Sequence, residues 1–233
     1  MSKAVSNGRR QFLQNSSMLG AGVLLPLPGR QGKSLAAKGD DISPAEDLMR
    51  EHGVLNRILL IYEDHLHKLA AKHTFDGSIL ASAADIVRRF VEDYHEKLEE
   101  DFLFPRFRKA NKLVSLVETL QAQHQAGRDL TAKIKELAGV ATLKYVSTDS
   151  EKLEDALREF LRMYRPHEAR EDTVLFPAFR SIVSAHEYGA LGDDFEKKED
   201  QLFGEDGFFK VVDQVAELEK KLGIYELSQF TPK

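Results

Sequence analysis

Two segments of this sequence repeat one pattern of histidine and acidic residues. The first reads HEKLEEDFLFPRFR from His95, and the second reads HEAREDTVLFPAFR from His167, 72 positions later. In each segment a glutamate follows the histidine by four positions, as Glu99 and as Glu171. Imidazole and carboxylate groups bind several divalent metals. The repeat therefore predicts a metal site built from two similar halves of the chain.

Two more histidines, His52 and His124, are separated by the same 72 positions. Residues four apart on a helix lie about 40° apart around its axis, so each His-x-x-x-Glu pair can face one space. Apolar neighbours predict that this face is buried, where a carboxylate is costly unless it is paired or bound to a metal. Because carboxylates can bridge two cations and imidazoles cannot, a dinuclear site with an open position follows. The candidate metal ligands are His52, His95, Glu99, His124, His167 and Glu171.

A single His-x-x-x-Glu pair on a helix is more often a surface ion pair than a metal site. Two copies in register, each followed by Leu-Phe-Pro-x-Phe-Arg, favour the metal site, and the Leu-Phe-Pro-x-Phe segments are interpreted as core packing. Four histidines have no repeat partner and are predicted to be solvated: His65, His67, His73 and His186.

Helical periodicity predicts the elements that position these residues. Ser43 can cap a first helix, Pro44 suits its first turn, and Glu46 completes a capping box. Pro105 is predicted to bend or end the second helix. No stretch has the period of a strand, so the fold class is all-α, an antiparallel up-down four-helix bundle. The second, third and fourth helices are predicted at about residues 79–111, 112–137 and 151–186.

The first 39 residues differ in composition from the rest of the chain. Arg9 and Arg10 precede a short apolar run, a pattern typical of a twin-arginine export signal, although a basic tail with a chance arginine pair is the alternative. The pattern predicts an exported, periplasmic or extracytoplasmic protein without stable membrane insertion after signal removal. The predicted divisions are a leader at 1–39, a bundle at 40–190, and an extension of one or two short helices packed on it at 191–233.

Composition excludes several classes of function. The net charge of -5 provides no basic surface for nucleic acid. The absence of cysteine excludes thiolate-ligated zinc, iron–sulfur clusters and catalytic thiols. Nitrogen and oxygen ligands remain, which suit iron, manganese or zinc.

The ligand pattern, with Glu96 and Glu168 completing a His-Glu dipeptide in each half, resembles the hemerythrin-like cation-binding family over about residues 44–187. The resemblance implies a four-helix bundle around a non-haem di-iron centre. It implies that the six candidates bind two iron ions, that Glu99 and Glu171 bridge them, and that solvent or an oxo group also bridges them.

The sequence departs from the oxygen-carrying hemerythrins at two points. Arg128 stands where they have a second histidine on the third helix, and the fourth helix carries His-x-x-x-Glu instead of His-x-x-x-x-Asp. These differences favour the sensing, nitric-oxide-responsive or iron-handling members. A ferritin-like site needs two Glu-x-x-His motifs. Glu92 and His95 form one, but Tyr164 precedes His167 where the second needs a glutamate.

The leading functional hypothesis is an exported di-iron protein that binds or reacts with oxygen, nitric oxide or peroxide at an open iron position. If it is an enzyme, it would be a di-iron oxidoreductase with an unidentified redox partner. The alternatives are iron storage, delivery or sensing without turnover, and a structural or adaptor bundle that docks through residues 191–233.

Overall fold

The computed structural model describes residues 42–140 and 148–232, so the predicted leader at 1–39 lies outside the described residues. Every regular element within these two ranges is helical, which confirms the all-α class. Helix α1 spans Pro44–Ala70, and the Oγ of Ser43 accepts a hydrogen bond from the Glu46 amide at 3.3 Å, as the sequence predicts.

Helix α2 runs without a break from Gly77 to Lys109 and includes two π-helical stretches, Val87–His95 and Glu99–Leu103. Pro105 does not end this helix. The turn before it is widened, because the Phe104 amide donates to the carbonyl of Glu99 five residues earlier. The wider turn accommodates a proline, which has no amide hydrogen to donate.

Helix α3 spans Val114–Val140. Helix α4 begins as Thr148–Arg170, continues through a π-helical turn at Glu171–Leu175, and ends with Phe176–Phe179. The prediction that this helix extends to residue 186 is wrong. Ser184 instead starts a new helix by accepting a hydrogen bond from the Glu187 amide at 3.1 Å.

Three further elements follow. They are helix α5 at Ala185–Phe203, helix α6 at Gly207–Leu222 and a 3₁₀ turn at Leu227–Phe230. Helices α1 and α3 each pack against both α2 and α4, and helices α5 and α6 pack against α1. None of the helices in the described ranges is both long and apolar enough to cross a membrane.

The apolar core is continuous from the four long helices into α5 and α6. Phe195 of α5 contacts Phe102 of α2, with ring centroids 5.5 Å apart. The prediction for His65 is wrong, because this residue is fully buried and its Nδ1 lies 2.8 Å from the carbonyl oxygen of Ile61. The other three unrepeated histidines are exposed, as predicted: His67, His73 and His186.

Candidate metal centre

The structure brings all six predicted side chains together between helices α1 to α4. Helix α1 supplies His52, α3 supplies His124, and α2 and α4 each supply a histidine and a glutamate. Every one of the six is at most 4% exposed: His52, His95, Glu99, His124, His167 and Glu171.

The four imidazoles form two pairs, which we name subsite A (His52 and His95) and subsite B (His124 and His167). The ring centroids are 4.7 Å apart in subsite A and 5.1 Å apart in subsite B. Candidate ligand atoms of subsite A, Glu99 and Glu171 all lie within 4.8 Å of one another. The same holds for candidate ligand atoms of subsite B and Glu171. Each subsite therefore has enough nitrogen and oxygen ligands to hold a cation.

Both carboxylates reach toward the two subsites. Oε2 of Glu171 lies 3.1 Å from Nε2 of His167 and 3.3 Å from Nε2 of His52. Glu99 places Oε2 3.3 Å from Nε2 of His124 and Oε1 4.0 Å from Nε2 of His95. The two glutamates are thus positioned to bridge cations held by the imidazoles.

The outward-facing nitrogen of each imidazole lies beside a side-chain oxygen. Nδ1 of His52 is 2.7 Å from Asp172, and Nδ1 of His95 is 2.8 Å from Glu51. An ionised carboxylate only accepts hydrogen bonds, so Nδ1 carries a hydrogen and Nε2 is the nitrogen that faces the centre, where it would bind a cation. Subsite B has the same arrangement: Nδ1 of His124 lies 3.2 Å from Glu100, and Nδ1 of His167 lies 2.9 Å from Gln123.

Sequence reasoning missed these four partners, although the repeat contains them. Glu51 and Gln123 are 72 positions apart, and so are Glu100 and Asp172. Because the paired residues differ in type, a search for identical residues does not find them. The hydrogen bonds of one half nevertheless recur in the other at the same offset.

Six of the eight inner nitrogen and oxygen atoms of the site lack hydrogen-bond partners among the described residues. They include both carboxylate oxygens of Glu99 and Glu171, together with Nε2 of His95 and of His124. Lone pairs therefore face lone pairs in a buried space, an arrangement that is costly unless a cation or shared protons lie between them. The donor set fits divalent metals that accept imidazole and carboxylate together.

The electrostatics of the cluster agree with this fit. Burial raises the pKa of Glu99 well above its usual range, and the adjacent carboxylate of Glu171 raises it further. Burial lowers the pKa of His52, but the hydrogen bond to Asp172 and the adjacent carboxylate of Glu171 outweigh burial and raise that pKa to about 10. A bound cation would replace the protons that these groups otherwise retain.

Two phenylalanines from the repeated Leu-Phe-Pro segments cover the imidazoles. Phe176 stacks on His52 with centroids 5.5 Å apart, and Phe104 stacks on His124 at 5.4 Å. Both phenylalanines are buried, which fits the predicted packing role of these segments. The rings keep water away from two of the four imidazoles.

A second polar cluster borders subsite B. The Tyr164 hydroxyl donates to Oε1 of Glu96 at 2.9 Å, and Nη2 of Arg128 lies 2.9 Å from Oε2 of the same carboxylate. Arg128 also donates to Glu100 at 2.8 Å. Burial raises the pKa of Glu96 well above its usual range, although the charge of Arg128 opposes this shift. Arg128 therefore supports carboxylates beside the centre and contributes no further metal ligand.

The equivalent contact beside subsite A joins Asn56 and Glu168, since Nδ2 of Asn56 donates to this carboxylate. Burial raises the pKa of Glu168 to about 8. Asn56 and Arg128 occupy equivalent positions of the repeat, as do Glu168 and Glu96. On each side of the centre, a hydrogen-bond donor thus contacts a buried glutamate, but the donor is neutral beside subsite A and positively charged beside subsite B.

Comparison with known proteins agrees with this geometry. The family model described as the hemerythrin HHE cation binding domain matches residues 43–178. Similar curated proteins are the uncharacterized protein Rv1995 of Mycobacterium tuberculosis and the uncharacterized protein Mb2018 of Mycobacterium bovis. Each is 42% identical over 233 residues, covering 97% of this chain and 91% of its own length. No solved structure gives a significant match. A match over most of the helical core, together with the buried histidine and glutamate cluster, shows that this chain belongs to the hemerythrin HHE cation-binding family.

Proposed function

We propose that this protein is a di-iron protein that binds or reacts with oxygen, nitric oxide or peroxide at an open position of one iron. The main support is the arrangement of two imidazole pairs joined by two carboxylates. All four imidazoles present Nε2 to the centre, because each Nδ1 faces an oxygen acceptor. We further propose that helices α1 to α4 run antiparallel in up-down order around this pair.

The mixed imidazole and carboxylate set suits iron, manganese or zinc. Iron is proposed among these because the resemblance to the hemerythrin-like family implies a non-haem di-iron centre. An iron pair would supply the electron-transfer chemistry that these side chains lack. The residues of the chain would bind the metals, orient the imidazoles and exclude water. Activity as an oxidoreductase belongs to this proposal.

The burial of the centre supports the proposal that its ligand is a small molecule. None of the six inner side chains is more than 4% exposed, and aromatic rings stack on two of the imidazoles. A diatomic molecule or peroxide can enter such a space with less rearrangement than a larger substrate.

The acidic net charge of -5 supports the proposal that the protein does not bind nucleic acid.

Export through a twin-arginine route is also proposed, on the basis of Arg9 and Arg10 and the apolar run that follows them. Metal could then be loaded before the folded protein leaves the cytoplasm. The redox partner would act in the same extracytoplasmic compartment.

The first test is metal content in variants of the bridging carboxylates. We expect two iron ions per wild-type chain after anaerobic loading with ferrous iron, and fewer than one in Glu99→Gln combined with Glu171→Gln, because an amide does not bridge two cations. Circular dichroism should show that the double variant remains helical. Glu118→Gln, an exposed position on helix α3, is the matched control and should bind two iron ions.

Admitting oxygen to the loaded wild-type protein should produce new near-ultraviolet and visible absorption bands. Reversal of these bands under vacuum would indicate carriage, whereas their persistence would indicate oxidation. Unchanged iron content in the double variant, or the absence of new bands, would contradict the di-iron proposal.

Iron delivery or sensing without turnover is the second candidate. It is favoured by Gln123, which gives His167 a neutral amide partner where His95 has a carboxylate. Rapid loss of iron to a mild chelator would support delivery, whereas retention would support a redox cofactor.

A further inference from the structure

The two subsites differ in the groups that support their imidazoles. In subsite A, His52 and His95 each donate to a carboxylate, at 2.7 Å and 2.8 Å. In subsite B, His167 donates to the neutral amide oxygen of Gln123, and His124 lies farther from its carboxylate, at 3.2 Å. The two halves therefore place oxygen atoms at equivalent positions behind the ligands but differ in the charge and distance of these atoms.

The single carboxylate that supports subsite B is also shared with two cations. Glu100 lies 2.6 Å from Nζ of Lys97 and 2.8 Å from Nη2 of Arg128. These two cations partly neutralise the negative charge of Glu100, which therefore increases the basicity of His124 less. At the repeat positions of these two cations, subsite A has the uncharged residues Asn56, for Arg128, and Ala169, for Lys97.

Further negative charge surrounds subsite A. The carboxylate of Glu51 groups with those of Asp47 and Glu199, with candidate ligand atoms of the three lying within 4.8 Å of one another. All three side chains are buried, where charges are screened less than at the surface. Arg50 lies 3.9 Å from Asp47 and offsets part of this charge. Three carboxylates beside one guanidinium still favour a cation at the neighbouring imidazoles more than the mixed charges beside subsite B do.

A carboxylate that accepts the outer hydrogen of an imidazole increases the basicity of the inner nitrogen, and loss of such a partner typically weakens metal binding about 10- to 100-fold. We propose that the two subsites are inequivalent, that subsite A fills first, and that subsite B holds the exchangeable metal because Gln123 gives His167 a neutral partner. This inference rests on the proposed dinuclear centre. Gln123 acts here as a positioning residue that tunes the affinity of subsite B.

The inference predicts two separate steps when the metal-free full-length chain is titrated with cobalt(II) alone, followed by calorimetry and visible absorption. We expect the two dissociation constants of the wild-type protein to differ about 10- to 100-fold. Gln123→Glu should tighten the weaker step about tenfold and leave the tighter step unchanged. Glu51→Gln should weaken the tighter step by a similar factor.

Gln125→Glu is the matched control, because it adds the same charge to the same helix at an exposed position whose side chain bonds to Asp129. It should leave both constants unchanged. Thermal unfolding of each variant would show that all of them fold. A change in both constants with Gln125→Glu would indicate a general charge effect and overturn the assignment to Gln123.

The possible failures are distinguishable. Two equal constants in the wild-type protein, or a weaker step that does not respond to Gln123→Glu, would overturn the inequivalence and leave the dinuclear centre intact. An effect of Gln123→Glu on the tighter step would reverse the proposed order and also overturn it. Binding of one cobalt ion or none by the wild-type chain would refute the dinuclear centre itself.

Discussion

At the scale of single residues, Gly127 and Tyr164 form a matched pair beside the centre. A Cβ atom at position 127 would lie 2.0 Å from Oη of Tyr164, so glycine provides the space through which this hydroxyl reaches Glu96. The equivalent positions of the first half carry Leu55 and Glu92. A large side chain on helix α4 is thus matched by the loss of one on helix α3.

We expect Gly127→Ala to lower the free energy of unfolding by about 1–3 kcal/mol, because overpacking forces the buried phenol to move. Urea unfolding would measure the loss. Adding Tyr164→Phe should restore part of it, since this change removes the oxygen nearest to the new methyl group. Gly189→Ala is the control, because its Cβ would contact nothing within 4 Å. Equal effects of the two glycine substitutions would contradict the packing argument.

The residue scale also shows what the sequence could predict. The six inner side chains could be predicted from the sequence, because histidine and glutamate repeat without change at an offset of 72 positions. Gln123 and Tyr164 were not assigned their contacts, because each differs in type from its counterpart in the first half. Their roles depend on hydrogen bonds that join separate helices, as between Tyr164 and Glu96. No local periodicity encodes such contacts.

At the scale of elements, a widened helical turn begins at each of the two glutamates. These π-helical turns span Glu99–Leu103 and Glu171–Leu175, and each is followed after one residue by a proline, Pro105 or Pro177. A proline in a regular α-helix clashes with the carbonyl four residues earlier. The prolines therefore favour the wide turns that position the carboxylates.

We expect Pro105→Ala combined with Pro177→Ala to weaken binding of the proposed iron pair about tenfold, the lower limit for groups that orient metal ligands. Without the prolines, regular α-helical bonds can form and rotate the carboxylates. The melting temperature should stay the same as that of the wild-type protein or rise, because alanine suits a helix interior better than proline. Iron content and thermal unfolding would be measured together, with Pro44→Ala at the start of α1 as the control. Unchanged iron binding would show that the wide turns do not depend on the prolines.

Helix boundaries were predictable where capping residues and apolar periodicity agreed, as at Ser43. The break between α4 and α5 was missed because Ile182 and Val183 continue the apolar pattern through it. There the cap at Ser184 outweighs the pattern. The π-helical turns could not be predicted either, since the same residues also fit an ordinary α-helix.

At the scale of the whole molecule, helix α6 is joined to α1 by a partly buried ion pair. The guanidinium of Arg57 donates through Nε to Oε1 of Glu219 at 2.9 Å and through Nη2 to Oε2 at 2.5 Å. Glu219 is only 5% exposed. Because Arg57 lies on the same helix as His52, this bidentate contact connects helix α6 to a helix of the candidate metal centre.

We expect Arg57→Ala to lower the free energy of unfolding by about 1–3 kcal/mol, because Glu219 would stay buried without the guanidinium. The control is Lys220→Ala, which removes the exposed ion pair between Lys220 and Glu217 on helix α6. It should change the free energy of unfolding by less than about 0.5 kcal/mol. Urea unfolding would compare the variants. Equal losses in the two variants would mean that burial of the pair contributes nothing.

The recurrence of contacts at one offset also bears on ancestry. A homodimer of identical helical hairpins would present every substitution twice, so its two metal positions would have to remain alike. Once both hairpins belong to a single gene, one copy can change while the other is preserved. Glu51 and Gln123, like Asn56 and Arg128, occupy equivalent positions and differ in charge, an asymmetry that two identical hairpins could not have.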